Sequence, residues 1–446
     1  MLFVLGEYRI AGRRASDIAA SVEAGVASGA LVPGSPLPPM RELAGVLGVN
    51  PNTVAAAYRT LRERGVIETD GRRGSRVRPR PATTPRDALR MEVPPGVLDV
   101  QEGNPDVALL PPLEAPLAAA ARRYAAEPTL YGQEPVVPEL ERLARAGLAA
   151  DGVPAGPLAL TSGALDGIER VLSAHLRPGD AVAVEDPGWG SLLDLVPALG
   201  LRLLPMAVDD EGPRAEAVER VLADGARAVV VTARAQNPTG AAVSAARARQ
   251  LKAVLARHPQ VLLIEDDHGH GIVDLPLHPL AGATPHWALS RSTAKAYGPD
   301  LRLAVLTGDE VTLDRVRGRQ RLGPGWVSRL LQYAVVELWS SGAVDHAAVA
   351  RSYGERRGAL VAALRERGVP AHGVSGMNVW VPVADETAVV ARLLAAGWVV
   401  APGSRFRVES PPAVRLTVSG LRSAQVPELA DALAAAVRPS RGGRFS

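Results

Sequence analysis

SRSTAKAYGPDLR, residues 290–302, carries one of only two lysines in a chain of 446 residues; the other is Lys252. Every other basic side chain is arginine or histidine. A guanidinium stays protonated, whereas an amine can lose its proton and attack a carbonyl. Lys252 lies in ARARQLKAVLAR and reads as solvated helix surface. Lys295 follows an apolar strand-like run ending at Leu289, among small residues and hydroxyls, and Arg302 opens the next apolar run, LRLAVL. An amine beside Ser292, Thr293 and a fixed arginine suits a phosphorylated aldehyde: the amine for the carbonyl, the hydroxyls and guanidinium for the phosphate. Taken alone, the stretch is equally consistent with a lysine in an ordinary loop.

Working outward, the body from Leu98 to Val437 alternates strand-like and helix-like segments with Gly and Pro between them, the pattern of an α/β domain. TSGALDGIERVLSAHL (161–176) is a glycine turn opening an amphipathic helix, whose free N–H groups suit a phosphate. AVAVEDPGWG (181–190) is a strand and a turn carrying Trp189, an indole able to stack on a planar ring. AVVVTARAQNPTG (228–240) is a buried strand leading to Asn237-Pro238, and VLLIEDDHGH (261–270) is one ending in Asp266, Asp267 and His268. A metal could sit on those acids and histidines, but such strand ends are commoner as non-metal sites, and no metal site is assigned.

Residues 1–80 hold 12 Arg against 7 Asp and Glu, a net of +5, which leaves 38 basic against 40 acidic residues beyond. A basic head on a near-neutral body is the footprint of a nucleic-acid-binding module. Within it, residues 16–28 read as a helix with Ser16 as N-cap. Met40–Leu47 reads as a second helix burying Leu43, Val46 and Leu47, and Asn50-Pro51 as the start of a third, with Val54, Ala57, Tyr58 and Leu61 inward. VIET and SRVR are short strands joined by DGRRG, which completes a winged helix-turn-helix. Residues 80–97 are Pro-rich and read as a linker, and 438–446 as a disordered basic tail. The chain has no Cys, so disulfides and thiolate chemistry are excluded. It has no signal-peptide anatomy and no membrane-length apolar run, so a cytoplasmic location is expected.

The head, through LPPMRELA and LGVNPNTVAAAYRTLRERGVIE, resembles the GntR-type DNA-binding domain. The resemblance implies that Arg41, Asn52, Thr53 and Arg59 face double-stranded promoter DNA and that Arg72, Arg73 and Arg76 belong to the wing. The body, through the order glycine-helix, aromatic turn, Asn-Pro, strand-end Asp and Lys, resembles the fold type I pyridoxal 5'-phosphate aminotransferases. That implies a mixed, mostly parallel sheet with a smaller α+β subdomain and a head-to-tail homodimer. It further implies that Lys295 forms the Schiff base and Asp266 pairs with the pyridine nitrogen. Asn237 and His268 serve the ring oxygen, and Trp189 stacks on the ring. Ser162, Gly163, Ala164, Ser292 and Arg302 hold the phosphate. Tyr131 reaches the partner subunit's phosphate, and Arg415 clamps a substrate or effector carboxylate, with Gly103 and Asn104 at the mouth. His268 stands where a tyrosine is usual, Ala294 replaces a hydroxyl residue and Val136 a small one, which puts efficient transamination in doubt.

The two modules together resemble the MocR/GabR family of transcriptional regulators, and SGALDGIER, EDDH and GPDLRLA look most like members that control vitamin B6 metabolism. The resemblance implies a cofactor-sensing regulator. A working aminotransferase with a DNA-binding appendage, and a DNA-binding protein on an inert scaffold, are the competing expectations.

Overall fold

The computed structural model describes residues 8–27, 30–63, 66–69, 74–78, 85–86 and 90–438. Arg72, Arg73 and the tail from 439 lie outside the described residues. The chain divides into two compact units, one of residues 1–84 with 176–181 and 194–202, the other of 85–175, 182–193 and 203–446.

The first unit is built on α1 (Ala15–Ala27), α2 (Met40–Leu47), α3 (Pro51–Glu63), β1 (Ile67–Thr69) and β2 (Ser75–Val77). Ile18, Val22, Leu43, Val54, Ala57, Tyr58, Leu61, Ile67 and Val77 form its core. The Tyr58 hydroxyl, buried among them, donates to the Pro38 carbonyl at 2.8 Å. The Asn50 side chain accepts from the Asn52 N–H at 2.9 Å and so supplies the start of α3. Two expectations fail. Ser16 does not cap α1, which already includes Ala15; its hydroxyl turns to Asp17, whose carboxylate instead accepts from the Arg14 N–H at 3.2 Å. Val46 is 54% exposed, because eight residues of helix give one narrow buried stripe, filled by Leu43 and Ala44.

The second unit contains an eight-stranded sheet. Its strands are β3 (Leu158–Thr161), β4 (Ala181–Asp186), β5 (Arg202–Asp209), β6 (Gly212–Pro213), β7 (Ala226–Thr232), β8 (Leu262–Asp266), β9 (His286–Ser292) and β10 (Ala304–Gly308). They lie in the order β3-β10-β9-β8-β7-β4-β5-β6. β7, β8 and β9 run parallel, while β10 is antiparallel to both its neighbours. Parallel strands covered on both faces need continuous apolar runs, and β8 and β9 are buried along almost their whole lengths. The register sets Thr232, Asp266 and Ser290 side by side at the carboxyl ends of adjacent parallel strands, where ligands of open α/β sheets bind.

A smaller antiparallel sheet joins Asn378–Pro382, Ala413–Thr417 and Ala401–Pro402. Leu98–Asp99 pairs in parallel with Trp398–Val399, tying the start of the body to this layer. Val229, Leu263 and Leu289 of the large sheet share one apolar core with Val379 and Leu416 of the small one. The described part of the Pro-rich connector is anchored to this unit. Arg86 donates to the Ser404 and Arg407 carbonyls at 3.0 and 2.9 Å, and the Gln101 side chain makes two bonds to the Met91 backbone, at 3.1 and 2.8 Å.

Candidate functional site

The parallel strand ends open onto a cavity of about 300 Å³. It is lined, among others, by Gly103, Gly163, Ala164, Trp189, Asn237, Asp266, His268, Ser292, Lys295 and Arg302, so ten of the expected site residues converge there. Lys295 sits in a four-residue helix, Ala294–Tyr297, immediately after β9, and its Nζ donates to the Gly103 carbonyl, which also lines the cavity. The Ser292 hydroxyl accepts from the Ala294 N–H at 3.2 Å and Thr293 bonds the Leu303 carbonyl at 2.7 Å, which fixes the turn that presents the amine.

Arg302 adopts φ 44°, a left-handed conformation uncommon for a residue with a side chain. Its guanidinium bonds the Ser162 carbonyl and lies against Gly163. A Cβ at Gly163 would stand 3.1 Å from Arg302 Nη2, and Gly163 has φ 100°, so glycine is required on both counts. Ser162 itself is exposed and is not among the residues lining the cavity; it contributes its backbone to Arg302.

Asp266 Oδ2 meets His268 Nδ1 at 2.8 Å, and His268 Nε2 meets the Ala235 carbonyl at 2.9 Å. Asp266 Oδ1 is buried with no hydrogen-bond partner among the described residues, and Asp266 lines the cavity. Burial pulls the His268 pKa down, but the charge and hydrogen bond of Asp266 outweigh it and hold the ring above the ordinary histidine value. The expected role of His268 at the ring oxygen therefore competes with two bonds that it already makes.

Arg415 Nη1 donates to Asn237 Oδ1 at 2.9 Å, a second guanidinium nitrogen donates to the Gln101 carbonyl, and the guanidinium lies 4.5 Å from the centre of the Phe406 ring. Arg415 thus belongs to the small sheet yet holds the Asn237 loop of the large one. Asn104, Tyr131 and Arg415 are not among the residues lining the cavity; Arg415 is buried against it through Asn237, and Tyr131 is 92% exposed and stands edge-on to Trp326.

Four functional features escape a reading of the sequence. Gln101, buried, joins Arg415 to the connector through its carbonyl and its amide. Asp267 pairs with both Arg234 and Arg291 at 2.9 Å, and Arg291 also pairs with Asp151. Two guanidiniums therefore satisfy the carboxylate that, with Asp151 and His270, stands at metal-ligand spacing. Burial pushes Glu185 and Glu265 up to about 7, although each accepts hydrogen bonds that favour its ionised form. Carboxylates inside apolar strands leave no periodic signal, so only Asn237-Pro238 and the EDD run hinted at polar structure there.

In the first unit, Arg41, Asn52 and Arg59 are exposed, Thr53 is half-buried, and Arg76 lies 3.9 Å from Glu68 across the hairpin. Among the described residues no helix is long and apolar enough to cross a membrane.

Residues 97–433 match the family model for aminotransferase class I and II, and residues 14–77 that of the bacterial regulatory proteins of the gntR family. The chain is 40% identical over 427 residues to the vitamin B6 salvage pathway transcriptional repressor PtsJ of Salmonella typhimurium, covering 94% of this chain and 98% of that protein. It is 31% identical over 270 residues to the pyridoxine biosynthesis transcriptional regulator PdxR of Corynebacterium glutamicum, over 58% of each chain. The crystal structure of Pyrococcus horikoshii kynurenine aminotransferase superposes with a TM-score of 0.70 at 20% identity, covering 79% of this chain and 96% of that one. A gntR-family winged helix followed by a class I/II aminotransferase domain, with a transcriptional repressor matched along nearly its entire length, places this chain in the MocR/GabR family of transcriptional regulators.

Proposed function

We propose that the body binds pyridoxal 5'-phosphate and that its occupancy sets how the winged helix engages promoter DNA, in the control of vitamin B6 metabolism. The observation that carries this reading is the convergence of an amine, an orphaned buried carboxylate oxygen and an arginine-backed glycine turn on one cavity. Asp266 Oδ1 is an acceptor waiting for a donor, which fits a protonated ring nitrogen. Arg302 and the turn at Gly163 fit the phosphate, and Trp189 the ring face. Lys295 would supply the amine that condenses with the aldehyde. When bound, the cofactor supplies an electrophilic carbonyl and an electron-withdrawing ring.

The chain's own residues then do the regulatory work. Lys295 Nζ now donates to the Gly103 carbonyl, and an amine engaged elsewhere gives up that bond. Gln101, two residues away, holds Met91 of the connector, so a change at Lys295 has a short route, through a hydrogen bond at each end of Gln101–Gly103, to the segment that leads to the DNA-binding head. Differential affinity of the cofactor for the two states of this route is what shifts DNA binding; equal affinity would shift nothing. Arg41, Asn52, Thr53 and Arg59, with Arg72, Arg73 and Arg76 of the wing, would contact the DNA. Two bodies would assemble head to tail, with the exposed Tyr131 and the neighbouring Leu130 meeting the partner.

One further reading is that an amino-acid carboxylate enters the same cavity and takes the Arg415 guanidinium, which lies just behind the lining and would have to give up its bonds to Asn237 and Gln101. Absorbance titration of the purified protein with pyridoxal 5'-phosphate, with and without borohydride, tests the cofactor reading. A visible imine band is expected that borohydride bleaches by reducing the C=N bond, leaving the cofactor fixed to Lys295 as a secondary amine; both should be absent in Lys295→Ala, and the same variant should lose the effect of the cofactor on operator binding. A Lys295→Ala protein that responds normally to the cofactor refutes the sensor. Addition of amino acids to the loaded protein separates sensing from transamination, since turnover shifts the band and produces the oxo acid.

A further inference from the structure

His268 faces two groups that accept hydrogen bonds. On one side is Asp266 Oδ2, 2.8 Å from Nδ1; on the other is the Ala235 carbonyl, 2.9 Å from Nε2. A carbonyl oxygen never donates, and an ionised carboxylate only accepts. A neutral imidazole carries a single N–H and would leave one bare nitrogen lone pair pointing at an acceptor. We infer that His268 is protonated on both ring nitrogens in the cofactor-free protein, and that it is a positioning residue: it pairs with the ionised Asp266 as one neutral unit and turns Asp266 Oδ1 toward the cavity. This deepens the cofactor reading above and rests on it for its functional meaning, but the protonation state does not.

The surroundings support the assignment. Ala235 cannot rotate its carbonyl away at will. It has φ 55°, its N–H donates to the Ser375 hydroxyl at 2.9 Å, and Gly376 packs against its Cβ. The other titratable groups that act on the pair are Lys295, whose ammonium opposes a second positive charge, and the buried Glu185, whose carboxyl feels the charge of Asp266. The Asp266 bond and charge prevail over both burial and Lys295. The consequence for the ligand is specific. Asp266 meets a pyridine nitrogen with Oδ1 already aimed by His268, so the affinity for a protonated ring depends on pH through the protonation of His268.

The test uses the full-length, cofactor-free protein labelled with 15N-histidine, with His268→Gln locating its signals among the eight histidines. Two N–H nitrogens are expected for His268 at pH 7, and one bare nitrogen in Asp266→Asn, which removes the counter-charge. A bare nitrogen in the wild-type ring at pH 7 overturns the inference. The positioning role is read separately, from cofactor affinity measured against pH. His268→Phe should weaken binding about 10- to 100-fold, the size of one charge-assisted hydrogen bond, and should remove a pH-dependent step that the wild type shows. An unchanged affinity and an unchanged pH profile refute the positioning role. Absence of a cofactor band in a wild-type protein whose ring is doubly protonated refutes the cofactor reading alone.

Discussion

Gly163→Ala tests the phosphate cradle at its tightest point. Two separate costs follow from the geometry. The backbone at φ 100° disfavours any Cβ, by about 1–3 kcal/mol. The new methyl carbon would also lie 3.1 Å from Arg302 Nη2 and 3.4 Å from Cζ and Nη1, so the guanidinium must retreat by a few tenths of an ångström. Arg302 is tethered to the Ser162 carbonyl and held by its own left-handed backbone, and it cannot retreat without losing aim. The first cost falls on folding and appears in urea melts of the cofactor-free protein. The second falls on binding: a misaligned charge-assisted contact to phosphate is worth about 1.5–3 kcal/mol, or roughly 10- to 100-fold in affinity. Absorbance titration with pyridoxal 5'-phosphate measures it. Gly318→Ala serves as the control, because Gly318 lies in the helix Glu310–Gln320 with open space around its Cα and should gain about 0.5–1 kcal/mol in stability with unchanged affinity. A Gly163→Ala protein that melts early but binds the cofactor as the wild type does would show that Arg302 does not hold the phosphate.

Two further outcomes are expected. Asp267→Asn takes the shared carboxylate charge from the buried Arg234 and Arg291 guanidiniums and should cost about 3–5 kcal/mol in chemical denaturation, whereas a loss below about 1 kcal/mol would show that the Leu275 carbonyl suffices for Arg234 and Asp151 for Arg291. Glu265, raised by burial from 4.5 to about 7, holds its proton more tightly in the folded state, so it makes stability fall as pH rises from 4.5 to about 7. Glu265→Gln keeps an oxygen for the Leu280 N–H and should remove about 3 kcal/mol of that slope; parallel pH profiles for the two proteins would refute the assignment.

The positions that were legible in the sequence are those where backbone and chemistry speak together. Lys295 after an apolar strand, Asn237 before a proline, Asp266 at a strand end and the turn at Gly163 all came to one cavity, because strand order and register decide which carboxyl ends meet. The apolar face of α3 was readable for the same reason, since period and burial coincide. What stayed hidden depends on partners remote in the chain. His268 stood out as a departure, but its bond to the Ala235 carbonyl depends on how a loop 33 residues away folds back. Arg234 and Arg291 read as ordinary basic residues until Asp267 brings them together. Val46 and Ser16 failed because a short helix and a one-residue shift of its start change which side chains face inward.

The three residues Gln101, Glu102 and Gly103 have a consequence for how loud a signal the molecule can send. Lys295 grips this tripeptide from the cavity, Arg415 from the small sheet, and Met91 from the connector. On the sensing proposal it would work as a relay with a fixed bandwidth. The connector is held there by two neutral hydrogen bonds to Gln101, each worth about 1 kcal/mol net, and by the Arg90–Glu102 ion pair at 3.4 Å, worth at most about 1 kcal/mol more, so these contacts carry a message of about 3 kcal/mol, or roughly 150-fold in a downstream equilibrium. That ceiling is the range of a graded dial and falls well short of the roughly 10⁴-fold that an all-or-none switch demands.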